Sequence, residues 1–354
     1  MFHKTRRKFT VLFTALVATC LLLVPGCGSD SSSDEKPLIV VTTNILGDVV
    51  SKAVGDVFNV ETIMPPGADP HVFQASAKQV DKMMQADLLV VNGANFEEGL
   101  LDVVEAAKSD GVRIFEAMSA VDPLAEQEGD HDEHDDHEGH DDHEGHDDHE
   151  GHDDHEGHDD HDDHKGHDDH EGHDHGGVDP HFFTDPGRMA QAVEQLSDFL
   201  VINFPEVDEK DLVSNMTNYS KKLDDLDNEV MQTLSSISAD SRVLITNHQV
   251  FAYFAESYEF EILGTIIPTA STLSNTSAKD LVDLAEKMKD EGVKAIFVDN
   301  SSSDALANAL AGEFDGVEVV NLFSESLGPE DSAGSTYIDM VRTNSELIAG
   351  ALTG

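Results

Sequence analysis

Histidine is the residue most able to do chemistry in this chain, and most of it is concentrated in one stretch. Between Asp130 and His175 the repeat H-D-D-H-E-G places a histidine at every third position, and 16 of the 20 histidines fall there. His3 sits in the leader, so three remain for a folded body: His71, His181 and His248. Alone, each would read as an ordinary hydrogen-bonded histidine. Together they share one setting, since each follows a strand-like run and lies beside Pro, Asp or Asn. Open α/β sheets bind ligands at the carboxyl ends of their strands. Two of the three share a signature, "GADPHVF" at 67–73 and "VDPHFFTDP" at 178–186. In both, proline restricts the backbone just before the histidine. The preceding Asp69 or Asp179 is placed to orient the imidazole, as carboxylates behind metal-bound histidines do.

The alternation of elements supplies the required strand ends. "LIVVTTN", "NVETIMPPG", "DLLVVNG" and "VRIFEAM" read as strands, separated by amphipathic helices in "ILGDVVSKAVG" (closed by Gly55), "SAKQVDKMMQA" and "FEEGLLDVVEAAKSDG". The same grammar returns after residue 240, with "RVLITNH", "FEILGTI", "VKAIFVDN" and "VEVVNLF" as strands. Helices are expected in "QVFAYFAESY", "SAKDLVDLAEKMKDEG", "DALANALAGEF" and "TYIDMVRTNSELIAGAL". A shorter helix is expected over 187–203. Residues 207–238 contain no Gly or Pro and keep apolar residues at helical spacing, which predicts one long helix. The expected fold is therefore two doubly wound α/β lobes, 38–203 and 240–354, joined by a connecting helix within 204–239, with a ligand cleft between them.

The His/Asp-rich insertion, 126–177, interrupts the first lobe. It has no apolar residue between Asp130 and Gly177, cannot bury surface, and is expected to be disordered. Between Asp130 and His175 it carries 23 acids and one lysine, Lys165, so the rest of the chain still holds a charge of −29 out of −51. Such a surface repels nucleic acid and anionic headgroups and attracts cations. The basic start (Lys4, Arg6, Arg7, Lys8), the apolar run Phe9–Val24 and Gly26-Cys27 predict an export signal over 1–27 ending in a lipobox. Cys27 is the expected site of a lipid anchor, followed by a linker over 28–37. Cys20 and Cys27 are the only cysteines, so the mature fold has neither a disulfide nor a thiolate metal site.

The motifs GADPHVF, DPHFF, "ITNHQVFAYFA" and the C-terminal "TYIDMVRTN", with an acidic His-rich insertion, resemble in combination the zinc/manganese-binding solute-binding lipoproteins of bacterial ABC importers (ZnuA- and TroA-like). The resemblance spans the mature chain from Leu38 onward. It implies that His71 and His181 from the first lobe and His248 from the second hold a metal. It also implies an ABC permease/ATPase complex as partner, with the protein a monomer anchored outside the membrane. The family's fourth ligand is commonly an Asp shortly before the tyrosine of the last helix. Here "GPEDSAGSTYIDM" has Ser335 at the gapless position and Asp331 four residues earlier. Asp331 is the candidate, with water, Glu61, Asp69 and Asp299 as alternatives.

Three neutral imidazoles with a carboxylate or water suit tetrahedral Zn2+. Mn2+ favours more oxygen, and manganese-binding relatives usually carry a carboxylate where His248 stands. The tract then serves as an accessory that gathers cations. Two other functions compete: metal storage or adhesion through the tract, and zinc-dependent hydrolysis. Against an enzyme, the chain has no HExxH, no P-loop and no G-x-S-x-G elbow. Deleting residues 130–175 should leave about one tightly held zinc per chain, measured by metal analysis, because the implied ligand set is untouched. Loss of all binding would make the tract the main site.

Overall fold

The apolar runs form eight short strands among the described residues, and every pairing between them is parallel. The computed structural model describes residues 36–126 and 177–354. The expected export signal and Cys27, most of the linker and the insertion from 127 to 176 lie outside the described residues. The first lobe runs β1 (Leu38–Val41), α1 (Asn44–Val54), β2 (Asn59–Thr62), α2 (Ala77–Met84), β3 (Leu88–Val91), α3 (Leu101–Ser109) and β4 (Arg113–Glu116). Helices α4 (Pro186–Asn203) and α5 (Glu209–Leu234) follow. The second lobe runs β5 (Val243–Thr246), α6 (Ala252–Tyr258), β6 (Glu261–Thr265), α7 (Ala278–Glu291), β7 (Ala295–Asp299), α8 (Ala305–Ala311), β8 (Glu318–Leu322) and α9 (Tyr337–Thr353).

Both sheets have the same order, β2-β1-β3-β4 and β6-β5-β7-β8. The chain steps outward from the first strand of each lobe and then returns to its other side. This reversal opens a crevice at the strands' carboxyl ends. Side-chain alternation divides each sheet between two cores. Ile39, Val41, Leu88 and Val90 face an inner core, while Val40, Leu89 and Val91 face an outer one. In the second lobe Leu244, Ala295 and Phe297 join that same inner core, and Ile245, Ile296 and Val298 form a separate outer core. The inner core is thus continuous through both lobes.

Helix α5 is its brace. Leu212, Met216, Tyr219, Leu223, Leu226, Val230 and Leu234 recur every three or four residues and are all buried, against α1, α4 and α9. Its 26 residues give a rod of about 39 Å. Prising the seam open would expose side chains whose burial stabilises by roughly 1.5–3 kcal/mol each. Helix α1 ends where expected, because Gly55 takes φ +58° at the cap.

Two helices start later than the sequence pattern suggests. Gln249–Phe251 stay in a loop, with the Gln249 N–H donating to the Thr269 carbonyl at 3.1 Å, so α6 begins at Ala252. Before α3, Gly93, Ala94 and Asn95 are all left-handed (φ +89°, +50° and +58°), and Glu98–Leu100 form a 3-10 turn. In both places the departure from helix brings the chain over the cleft.

The lobes are stitched together at the cleft floor. Buried Asn44, at the start of α1, donates to Ser326 Oγ at 2.7 Å and to the Pro65 carbonyl at 2.9 Å, and its Oδ1 accepts from the Leu327 N–H at 2.7 Å. Tyr253 of α6 donates to the Asp179 carbonyl at 2.7 Å and accepts from the Leu124 N–H at 3.0 Å. Asn44→Ala leaves a buried N–H and hydroxyl without these partners. Urea unfolding should show a loss of about 1–3 kcal/mol, the cost of a buried polar group left unsatisfied.

Candidate metal centre

Local chemistry fixes each histidine before the lobes meet. After β2, the Pro65-Pro66-Gly67 turn leads to Asp69, whose Oδ1 accepts the His71 backbone N–H at 2.9 Å. The second DPH segment repeats this: Asp179 Oδ1 accepts the His181 N–H, also at 2.9 Å. A 3-10 turn (Phe182–Thr184) then leads into α4, capped by Asp185 with proline in the first turn. His248 lies two residues beyond β5, where Thr246 Oγ1 donates to its carbonyl at 2.6 Å. Just past β8 comes Glu325. Asp299, at the end of β7, accepts from the Ser324 N–H (2.9 Å), Ser324 Oγ (2.7 Å) and the Glu325 N–H (2.8 Å). It thereby pins the loop that carries Glu325.

His71, His181, His248 and Glu325 converge from the two lobes, each 0–2% exposed, with donor atoms all within 4.8 Å of one another. They are the one group of three or more such donors found among the described residues. All three Nε2 atoms face the Glu325 carboxylate: His248 at 3.0 Å, His181 at 3.3 Å and His71 at 3.6 Å. A tetrahedral ion with bonds near 2.0 Å holds its ligand atoms about 3.3 Å apart, so these spacings straddle the requirement. His71 Nε2, His181 Nε2 and Glu325 Oε2 are buried without a hydrogen-bond partner, which costs free energy unless another species engages them. The residues fit a divalent cation.

On the far side of the rings, Asp179 Oδ1 lies 2.7 Å from His181 Nδ1, as its position in the motif suggested. For His71 the ring partner is Glu98, at 3.1 Å, and not Asp69, whose Oδ2 instead accepts from Thr272 Oγ1 at 2.8 Å across the cleft. Phe96 stands edge-on to His71 and His181, with centroids at 5.1 and 5.4 Å.

The electrostatics follow from burying one carboxylate among three imidazoles. Burial pushes the Glu325 carboxyl up, but His181 and His248 outweigh it and hold the group well below the usual carboxylate range. Burial pushes His181 down, yet Glu325 and Asp179 together raise it to about 10. Burial dominates at His71, which falls below its ordinary value despite the pull of Glu325. The cluster is thus built to hold positive charge.

The structure sets the expected fourth donor, Asp331, apart from the three histidines and brings another acid to them. Asp331 is exposed on the loop before α9 and stands outside the cluster, whereas Glu325 enters it. Glu61 pairs with Lys82 on the edge strand β2, away from the cleft. Asp69 and Asp299 act on backbone and loop, as described. One signal pointed to Glu325: an acid directly after a predicted strand, in "VEVVNLFSES", the setting that singled out His248.

A family model described as "Zinc-uptake complex component A periplasmic" matches residues 39–351. The chain belongs to that family. It is 27% identical over 329 residues to the zinc-binding protein TroA of Treponema pallidum, covering 91% of each chain. A solved structure of that periplasmic zinc-binding protein superimposes with a TM-score of 0.69 at 25% identity, covering 90% of this chain and all of the other. The zinc-binding lipoprotein AdcA of Streptococcus pneumoniae is 29% identical over 344 residues, which are 96% of this chain but 60% of AdcA. The manganese ABC transporter substrate-binding lipoprotein PsaA of Streptococcus anginosus is 23% identical, covering 97% of both chains. Both zinc- and manganese-binding proteins are therefore among the relatives of this chain.

Replacing Glu325 with alanine should weaken metal binding by more than roughly 100-fold, the upper end of what losing an outer partner costs, whereas Asp331→Ala should leave it unchanged. Chelator competition on the two variants separates these outcomes.

Proposed function

We propose that the protein is an extracytoplasmic receptor that captures Zn2+ between its lobes and delivers it to the permease/ATPase complex of an ABC importer. The observation that carries this reading is the convergence of His71, His181, His248 and Glu325, two donors from each lobe, with Nε2 atoms aimed at a shared centre. Membership of the zinc-uptake component family and the likeness to TroA, AdcA and PsaA support it.

Zinc is favoured over manganese by the donors themselves. Three imidazoles and one carboxylate make a nitrogen-rich set that suits tetrahedral Zn2+, while Mn2+ favours oxygen. A catalytic zinc keeps an open position for water, whereas here four protein donors surround the centre and none is exposed. That favours carriage over hydrolysis. The acidic surface attracts cations toward the cleft, and the His/Asp tract gathers them nearby. Anchoring through a lipid on Cys27, and action as a monomer, complete the proposal.

The histidines must be neutral to ligate, so a proton competes with the metal. Because His181 is held at about 10, affinity should fall about tenfold per pH unit as pH drops below that value, with one proton released per zinc near neutrality. His71, pushed down by burial, takes up a proton only below its ordinary value, so the slope should steepen under about pH 6. Calorimetry of the tract-deleted protein in buffers of different ionisation enthalpy counts the protons. Retention of Mn2+ in preference to Zn2+ at equal concentrations would overturn the zinc assignment, and failure to stimulate the permease's ATP hydrolysis would overturn delivery.

A further inference from the structure

Glu98 contributes no donor to the metal cluster, yet the chain is bent unusually to bring it there. Its Oε1 lies 3.1 Å from His71 Nδ1 while its side chain keeps 31% of its exposure. The matching contact, Asp179 with His181, is buried and spans only two residues. Glu98 lies 27 residues from His71 in sequence. The chain reaches it through three successive left-handed residues, Gly93, Ala94 and Asn95, a conformation that alanine seldom adopts. Buried Glu97 anchors the turn, accepting from Thr42 Oγ1 at 2.5 Å and the Asn92 N–H at 2.7 Å. Phe96 then packs against two of the histidine rings. Behind Glu98, a Cβ on Gly99 would lie 2.1 Å from the Phe73 carbonyl oxygen, so the two loops touch backbone to backbone.

An ionised carboxylate can only accept a hydrogen bond. At His71 Nδ1 it therefore requires the proton on Nδ1, and the lone pair of Nε2 is left facing Glu325. We propose that Glu98 is a positioning residue for cation capture, acting through His71: it fixes the tautomer and ring orientation that make Nε2 the donor before a cation arrives. The placement matters because His71 is the one histidine of the three that lines the cavity of about 860 Å³ beside the cluster, which Glu98, Glu116 and Glu126 also line. His71 thus joins the acidic rim of the cavity, through Nδ1 and Glu98, to the buried cluster that its Nε2 faces. The inference rests on the cluster's being a zinc site, but the ring's tautomer can be read without metal.

The test uses the full chain with 15N-labelled histidine, at about pH 8 where free imidazole is neutral. Long-range proton–nitrogen correlation gives the His71 tautomer before zinc is added, with His71→Ala assigning its signals, and chelator competition then reads the tightest zinc site. Wild type should show His71 protonated on Nδ1. Glu98→Gln, whose side-chain carbonyl accepts the same bond, should keep that tautomer and bind zinc within roughly threefold of wild type, while Glu98→Ala should mix the tautomers and weaken zinc about 10- to 100-fold. Wild-type His71 protonated on Nε2 would overturn the proposal, as would an unchanged tautomer in Glu98→Ala. Equal weakening in both variants with the tautomer intact would make the effect one of charge, and would also overturn it. A wild type without any tight zinc site would instead sink the proposed function, while the metal-free tautomer would still decide the role of Glu98.

Discussion

The carboxylate of Glu325, fully withdrawn from water, constrains everything around it. An ionised group in a protein interior carries a desolvation penalty of several kcal/mol, offset only by close countercharge and hydrogen bonds. Here the compensation comes from His248 and His181, whose Nε2 atoms lie at 3.0 and 3.3 Å, the second from the opposite lobe. Separating the lobes would strip His71 and His181 from the carboxylate. The cluster is therefore also a clasp. A divalent cation satisfies the same four atoms more completely than a proton does, because it reaches all of them at once.

The rest of the architecture keeps that clasp in register. Asp299 is itself buried, and desolvation together with the nearby Glu325 charge raises its carboxyl. It nevertheless gathers three donors from Ser324 and Glu325 and so sets where the loop after β8 can lie. Behind the cleft, the shared inner core and α5 resist bending about the lobe junction. Metal capture in such a frame depends on small movements of side chains and cleft loops. Wide domain closure would have to break the seam of α5 and the Asn44 stitch.

Strand order and chemistry agree. The donors come from loops at the carboxyl ends of strands in both lobes, where the reversal of chain direction leaves space and unpaired backbone groups. Similar DPH turns place His71 and His181, yet their rings are held differently, His181 by the motif's own aspartate and His71 by Glu98 from another loop of the same lobe.

Much of this was determined by the sequence itself. Apolar runs of four to five residues alternating with amphipathic segments specify parallel α/β lobes, because a strand covered on both faces needs an unbroken apolar run. The absence of Gly and Pro from 207 to 238 specifies the long helix, and elimination isolates the three histidines. Those are local properties, periodic or countable along the chain. The fourth donor was not. Asp331 and Glu325 lie only six residues apart; the place of Glu325 just after a strand is a local signal, but its turning inward depends on Asp299, 26 residues earlier, capturing its N–H. Nor does local sequence predict Glu98, whose role arises from a left-handed turn held by a buried glutamate and from contact with a loop 27 residues away. Contacts between separate loops exist only once the core has brought them together, so tertiary structure alone decided them.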